Sequence, residues 1–226
     1  VNTTYYVRAY ATNRKGIAYG QQVEFITNNN NDGKDIQTAI VDVTNPATGK
    51  TWMDRNLGAS RPATSRPDSL AHGDLYQWGR AADGHQKRNS LRTSMISYTD
   101  VPEHGYYISS NEYSDGNWVI PRNNNFWQGV NGVNNPCPRG YRLPTQAEWD
   151  AERLSWVSNN EDGAFNSPLK LTPANDRQSG GTGSFGSYWS STAESTTSKH
   201  LFFNNSSANT ANKYRYYGLS VRCIKD

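Results

Sequence analysis

The C-terminal segment, residues 188–226, constrains the fold of this chain most, because it sets a long polar interval between two strand patterns. Apolar residues alternate with other types in 200–203 and again in 219–224, as they do in half-buried strands. This alternation predicts buried side chains at Leu201, Phe203, Leu219, Val221 and Cys223. Residues 204–217 show no apolar period and are rich in Asn, Ser and Tyr. We expect them to form a displayed surface; the alternative is a plain polar hairpin loop.

A surface of tyrosine and small polar residues carried on rigid strands is typical of a binding face. Tyrosine offers a large contact area with few rotatable bonds, and the small polar residues supply adaptable hydrogen bonds. With Leu201 and Phe203 buried, their neighbours point to the opposite face, where an exposed Phe202 requires something to cover it. We therefore predict ligand contacts from this face, its rim and the following strand: Thr196, Thr197, Ser198, His200, Phe202, Asn204, Ser206, Asn209, Thr210, Asn212, Tyr214, Tyr216 and Tyr217.

The composition favours an exported protein. The chain has 226 residues, of which 34% are hydrophobic and 19% charged, so Asn, Ser, Thr and Gly fill the deficit. A mean hydropathy of -0.88 suits an extracellular, loop-rich, β-containing protein. The net charge of +3 is small and the basic residues are scattered, which argues against a nucleic-acid partner. No apolar run approaches the ~18 residues of a membrane span, and we expect no signal peptide within this sequence.

The two cysteines, Cys137 and Cys223, lack any CxxC or Cys/His spacing, so a thiolate metal site is not expected. In a polar, exported chain we predict that they form one disulfide. Two buried free thiols are the alternative.

The front of the chain predicts a β-hairpin. Residues 5–11 and 22–26 alternate cleanly, and 13–16 supply turn residues. The phrases YYVRAYATN and VEFIT resemble the last two strands of the fibronectin type III-like modules of Bacteroidetes exported proteins. Residues 1–27 would then be the end of a β-sandwich module that is either truncated or paired with the main domain, since two strands alone are marginal in water. Residues 28–35 are predicted as a linker and 36–226 as the main domain.

Strands, helices and loops are predicted along the main domain. Residues 39–43 and 51–53 indicate strands around a turn at 45–50. Thr145 and Glu148 form a capping box that predicts a helix to about Val157. A second helix is predicted over 74–82, with Leu75, Trp78 and Ala82 inward. The intervals 91–135 and 158–187 are predicted as long loops.

Five ordered motifs carry a resemblance that covers about residues 36–226: WMDRNLGAS, GDLYQWGRAADGHQ, NNPCPRGYRLPTQAEW, YWSST and GLSVRCIKD. Together they resemble the Fibrobacter succinogenes major paralogous domain and the variable proteins of diversity-generating retroelements. The resemblance implies an α+β domain of C-type-lectin-type fold, related to the formylglycine-generating-enzyme fold. It implies two helices, small antiparallel sheets, long ordered loops and a ligand-facing C-terminal sheet. In retroelement-diversified relatives, adenine-directed substitutions fall between the YWSST-like and SVRC-like anchors.

Catalytic patterns are missing from the sequence. HExxH, GxSxG and P-loop motifs do not occur, and the histidines show no ligand spacing. Four residues could be imagined as a metal or acid/base cluster: Asp54, Asp74, Asp83 and His85. We favour hydrogen-bond anchors made of Asp54 with Arg55 and of Asp74 with Arg80. The tryptophans of the family motifs are predicted to be core rather than carbohydrate-stacking platforms: Trp52, Trp78, Trp149 and Trp189.

Three functions follow as hypotheses. The favoured one is a non-enzymatic surface protein, without cofactor or metal, whose C-terminal face is diversified by a retroelement and binds a cell-surface or phage-surface protein. The second is an undiversified adhesin or glycan-binding domain of the same fold. The third is an enzyme of the formylglycine-generating type, which an inward-facing Cys223 disfavours. We expect an extracellular or cell-surface location, lipid-anchored through a missing N-terminus or phage-borne.

Overall fold

A computed structural model describes residues 3–27, 38–109, 115–178 and 184–226, with the side chains of 3–5 and 24–27 left undescribed. The chain divides into two compact units, Val1–Lys34 and Asp35–Asp226. The predicted linker, 28–35, lies outside the described residues.

The first unit consists of two antiparallel strand pairs. In the sequence, the inner pair lies between the two strands of the outer pair. Its strands are β1 (Thr3–Val7), β2 (Tyr10–Asn13), β3 (Gly16–Tyr19) and β4 (Val23–Thr27). β1 pairs with β4 and β2 with β3, with the turn at Arg14 and Lys15 as predicted. The Arg8 guanidinium lies 3.9 Å from the centroid of the Tyr19 ring. Every described side chain of this unit is exposed, so these side chains form no core of their own.

The second unit mixes two short helices with several small sheets. Its strands are β5 (Asp42–Asn45), β6 (Lys50–Met53), β7 (Tyr76–Gln77), β8 (Arg92–Thr93), β9 (Tyr107–Ile108), β10 (Tyr141–Arg142), β11 (Gly186–Ala193), β12 (Thr197–Phe203), β13 (Ala208–Tyr214), β14 (Gly218–Leu219) and β15 (Ile224–Lys225). Its helices are α1 (Gln146–Leu154) and α2 (Glu161–Asn166), with a 3-10 turn at Ser69–Ala71. This is the predicted α+β class with small antiparallel sheets.

Two antiparallel sheets contain most of the strand residues of the second unit. One has the strand order β10-β15-β6-β5 and the other β11-β12-β13; β14 pairs with β7, and β8 pairs in parallel with β9. Consecutive residues of a strand point to opposite faces. Tyr188 and Trp189 of β11 accordingly enter two different hydrophobic clusters. Leu201 and Phe203 join the cluster of Tyr188. Leu219, Val221 and Cys223 join that of Trp189. The predicted core positions are therefore confirmed.

Tryptophans fill the interior. As predicted, the four tryptophans that the motifs contain are buried: Trp52, Trp78, Trp149 and Trp189. Trp118 and Trp127 are buried as well. Five of these six indole N–H groups donate to backbone carbonyls, for example from Trp149 to Trp189 at 3.0 Å and from Trp78 to Ser190 at 2.8 Å. Trp52 Nε1 is buried without a partner among the described residues. Because a buried indole N–H needs an acceptor, these bonds fix loop segments on the core.

The capping box predicted at the start of α1 is present. The Thr145 hydroxyl accepts from the Glu148 amide at 3.2 Å, and the Glu148 carboxylate accepts from the Thr145 amide at 2.8 Å. α1 ends at Leu154 rather than near Val157. The second helix, α2, lies inside the interval predicted as a loop, where the side chain of Asn160 caps it.

The helix predicted over 74–82 is wrong. Tyr76 and Gln77 instead form a strand against β14, and the Leu75 amide donates to the Gln86 carbonyl at 2.9 Å. Gly73 and Gly79 flank this strand with φ values of 67° and 81°, outside helical backbone. The apolar spacing of the segment reflects burial around a strand and turns.

The first strand of the main domain is shifted from its predicted place. β5 runs from Asp42 to Asn45 and not over 39–43, and β6 begins at Lys50. Asn45, predicted as turn material, is buried and donates to Glu152 of α1 at 2.7 Å.

The predicted disulfide between Cys137 and Cys223 is confirmed. It ties the loop before β10 to the chain just before β15.

Candidate ligand-binding surface

Half of the polar interval that was predicted as a displayed surface, 204–217, belongs to the strand β13. The turn of the hairpin covers only 204–207, where the Asn204 amide donates to the Ser207 carbonyl at 2.9 Å. Asn204 Oδ1 also accepts from the amides of Ser206 and Ser207, both at 2.9 Å. β13 then pairs with β12 without a break in register. Because side chains alternate along a strand, the predicted contact residues divide between two faces of the sheet.

One face of the hairpin is covered by another part of the chain. Phe185 packs against Phe202 with ring centroids 5.7 Å apart, and the buried Asp176 lies 2.9 Å from Lys213. Asn175 and Phe185 are joined by two hydrogen bonds, 2.9 Å from the Asn175 amide to the Phe185 carbonyl and 3.0 Å from the Phe185 amide to Asn175 Oδ1. The described ends of this loop therefore lie over the face that the alternation assigned to ligand.

Ser198 and His200 are consequently buried, and the prediction that they face a ligand is wrong. His200 is 3% exposed, and its Nδ1 lies 3.0 Å from the Ala211 carbonyl, to which it donates. Burial lowers the pKa of His200 to about 4, so the ring is neutral near pH 7. Phe202 is half-buried rather than exposed. Alternation within one hairpin could not reveal a cover supplied by a loop elsewhere in the sequence.

The other face of β13 meets α1 at its first half and solvent at its second. Thr210 accepts from Gln146 Nε2 at 3.3 Å and donates to Asp150 Oδ1 at 3.1 Å. Asn212 and Tyr214, farther along the same face, are exposed. Asn209 is also exposed but lies opposite Phe202, on the covered face.

The remaining predicted residues lie at opposite ends of the hairpin. Asn204 and Ser206 are in the turn, whereas Thr197 pairs with Tyr214 at the far end. Seven residues at about 3.3 Å each separate the two ends by roughly 20 Å. The predicted residues therefore do not form a single patch, and the end near Tyr214 holds the largest exposed side chain.

Tyr214 is exposed yet held in place. Its ring lies so close to the Gly116 backbone that a Cβ at Gly116 would be 2.1 Å from Tyr214 Cδ1. The Tyr216 amide donates to the Gly116 carbonyl at 3.2 Å, and the Tyr214 and Tyr216 rings stack with centroids 6.0 Å apart. Tyr216 and Tyr217 are half-buried and pack against the core. Tyr214 itself is 48% exposed.

Polar loops meet at Arg215, the residue that follows Tyr214. The buried Arg215 donates to Asn124 Oδ1 and to the Glu194 carbonyl, both at 2.6 Å, which holds the loop before β12 beside a second loop. Arg122 donates to the Ser195 carbonyl at 3.2 Å. We define the Tyr214 surface as Arg122, Asn124, Ser195, Thr196, Thr197, Asn212 and Tyr214. Arg122 and Asn124 were missed because nothing local in the asparagine-rich run 123–125 indicates which strand it borders.

A separate set of exposed apolar side chains belongs to the interval predicted as loops: Leu91, Met95, Tyr98, Val101 and Tyr106. Their exposures run from 44% to 75%.

The residues considered as a catalytic cluster are engaged in hydrogen bonds. His85 is fully buried; its Nε2 accepts from the Gln77 amide at 3.0 Å, and its Nδ1 lies 2.7 Å from Asp83 Oδ1. Burial lowers the pKa of His85 to about 4 although Asp83 opposes the shift. Arg80 donates to Asp83 at 2.6 Å, so Asp83 and not Asp74 is its partner.

The other members of that set lie in separate ion pairs. Asp54 pairs with Arg55 at 2.7 Å and Asp74 with Lys87 at 2.8 Å. Across 3–27, 38–109, 115–178 and 184–226, no group of three His, Cys, Asp or Glu residues could hold a metal ion. In the same ranges no helix is long and apolar enough to cross a membrane.

Comparison with known proteins identifies no family for this chain. No protein-family model matches the chain, and no curated protein and no solved structure matches it either.

Proposed function

We propose that the unit Asp35–Asp226 is a non-enzymatic binding domain that holds a protein ligand at the Tyr214 surface. The observation that carries the proposal is the state of Tyr214, which is 48% exposed while Gly116 and Tyr216 hold its ring. An aromatic side chain that is ordered before binding loses little conformational entropy on contact.

The surroundings of Tyr214 favour a macromolecule. Specific protein interfaces bury roughly 800 Å² per partner and place aromatic or arginine anchors near the centre of a polar rim. Tyr214 and Arg122 are of these anchor types, and Asn124, Thr197 and Asn212 are small polar neighbours. The glycan-binding alternative uses the same exposed ring, so a binding experiment is needed to distinguish it from binding of a protein.

We further propose that the fold is of the C-type-lectin type and that a retroelement diversifies the exposed positions of the hairpin. Replacement of the buried Ser198 or His200 would destabilise the sheet, whereas Asn209, Asn212 and Tyr214 can vary without cost to the core. DNA sequencing tests this: a downstream near-copy of the segment that differs mainly at adenines, beside a reverse transcriptase gene, is the expected result. A gene without such a copy would favour the alternative, an undiversified adhesin.

The proposal places the domain outside the cytoplasm, on a cell or phage surface. The disulfide between Cys137 and Cys223 supports this, because such bonds persist in oxidising compartments.

The experiment is capture of a ligand by the full chain and by two variants. Tyr214→Ala removes the anchor, and Tyr98→Ala removes a still more exposed tyrosine elsewhere, since Tyr98 is 74% exposed. The probes are a cell-envelope protein fraction and a glycan array. We expect a protein retained by the wild type and by Tyr98→Ala but lost with Tyr214→Ala. Retention of glycans alone would favour the glycan-binding alternative, and loss with Tyr98→Ala alone would move the site to the 91–106 segment.

A further inference from the structure

The outer edge of β13 carries backbone groups that its own sheet does not use. β13 is the last strand in the order β11-β12-β13, so among the described residues only one of its edges is paired. The residues of an edge strand point their N–H and C=O groups alternately toward the neighbouring strand and away from it. The hydrogen bonds around the hairpin show which residues point outward.

Three bonds agree on this assignment. The bond from the Asn204 amide to the Ser207 carbonyl, 2.9 Å, closes the turn and makes the next register pair, Phe203 and Ala208, a pair without mutual hydrogen bonds. Asn159 Nδ2 accordingly donates to the outward Ala208 carbonyl at 2.9 Å.

The third bond comes from β11. The Trp189 amide donates to the Ser220 carbonyl at 3.0 Å, away from β12, so its register partner His200 directs its backbone groups toward Ala211 of β13. The backbone groups of Ala211 therefore point toward β12, and those of the even-numbered residues Thr210 and Asn212 point away from it.

The outward groups in the middle of the strand have no described partner. The Ala208 carbonyl is bonded by Asn159, and the Tyr214 carbonyl accepts from the Tyr217 amide at 3.1 Å. Within the part of the chain that the structure describes, nothing bonds the backbone N–H or C=O of Thr210 and Asn212.

This edge also lacks the features that usually prevent strand addition. Proteins protect open edges with charged side chains, prolines or bulges. β13 has no proline and pairs in unbroken register. Its one charged residue, Lys213, turns to Asp176 at 2.9 Å and is 23% exposed.

We propose that the ligand of the Tyr214 surface adds an extended peptide strand to the edge of β13, pairing its backbone with Thr210 and Asn212. This inference rests on the proposed function and names its partner as a protein segment in β conformation. Asn159 closes the edge at Ala208, so the added strand covers the half that leads to Tyr214, whose ring packs beside it. Backbone pairing supplies affinity and the ring supplies selectivity, as in other cases of strand addition.

The test uses the wild-type full chain and peptides selected on it from a phage-displayed random dodecapeptide library. Each selected peptide is resynthesised with its alternate amides N-methylated, in one parity and then in the other. Because only alternate amides of an added strand face β13, we expect one parity to abolish binding and the other to leave it within about threefold. Amide hydrogen exchange at Thr210 and Asn212 should slow when the unmethylated peptide is added.

Matched variants locate the pairing. Asn212→Pro removes an outward N–H, whereas Asn212→Ala keeps it, so the first should weaken peptide binding at least about tenfold more than the second. Thermal melting of both variants checks that each is folded.

The outcomes separate the two proposals. Binding that needs Tyr214 but is indifferent to amide parity and to Asn212→Pro would overturn strand addition and keep the Tyr214 surface. Peptide binding that is also unaffected by the loss of the Tyr214 ring would overturn both proposals. A library that yields no binding peptide counts against strand addition, and concentration-dependent dimerisation lost in Asn212→Pro would show that a second copy of the chain takes the edge instead.

Discussion

At the scale of single residues, the two buried histidines make stability depend on pH. The pKa values of His85 and His200 are lowered to about 4 by burial, against an ordinary value of 6.5. As pH falls below 6.5 the unfolded chain takes up these protons first, so the free energy of unfolding falls progressively between pH 6.5 and 4. Each histidine accounts for at most about 3 kcal/mol of this loss.

Urea unfolding at a series of pH values measures the effect. His85→Gln removes one titrating ring while keeping an acceptor near the Gln77 amide, and should flatten the slope in this range. Carboxylates act at lower pH: burial alone would raise the pKa of Glu148, but Arg142 and Thr145 lower it to about 2, so its contribution is lost below about pH 4. A slope unchanged by His85→Gln would contradict the assignment.

Phe202 and Tyr214 should respond differently to truncation. Phe202 is half-buried against Phe185, so Phe202→Ala should lower the free energy of unfolding by about 1 to 3 kcal/mol. Tyr214→Ala removes a side chain that is about half in solvent and should cost less than about 1 kcal/mol. Chemical denaturation of both variants measures the two losses in the free energy of unfolding. Equal losses would mean that Tyr214 belongs to the core and is not a free anchor.

At the scale of elements, α1 depends on its capping box. Thr145→Ala removes the hydroxyl that accepts from the Glu148 amide and should lower the free energy of unfolding by about 1 kcal/mol. Thr145→Ser keeps the hydroxyl and serves as the control. A thermal-melting comparison in which both variants behave alike would contradict a role for the cap.

The elements also show what can be predicted from a sequence. Thr145 with Glu148, and the alternation of Leu201 with Phe203, are local signals, and both were confirmed. The helix predicted over 74–82 failed because apolar spacing alone cannot distinguish a buried strand and turns from two helical turns.

The candidate surface was predictable only in part, for a related reason. Tyr214 was identified from its polar setting, but the burial of His200 depends on a loop near Asp176 and Phe185. Whether a strand face is open depends on long-range packing, which the alternation within the strand does not contain.

At the scale of the whole molecule, the disulfide holds the second unit together. It closes a loop of 86 residues, for which the chain-entropy model gives about 4 to 5 kcal/mol of stabilisation. Reduction, or Cys137→Ser with Cys223→Ser, should lower the urea midpoint strongly while ligand binding by the remaining folded protein persists. Identical midpoints for the oxidised and reduced chains would contradict this.

The central claim is that ligand is held at the Tyr214 surface, and hydroxyl-radical footprinting of the full chain tests it most directly. The oxidation rates of Tyr214 and Tyr98 are measured by mass spectrometry, with and without the protein captured from the envelope fraction. Both rings are exposed in the free chain, at 48% and 74%. We expect bound ligand to slow the oxidation of Tyr214 several-fold and to leave Tyr98 unchanged. Protection of Tyr98 with Tyr214 still reactive would contradict the claim.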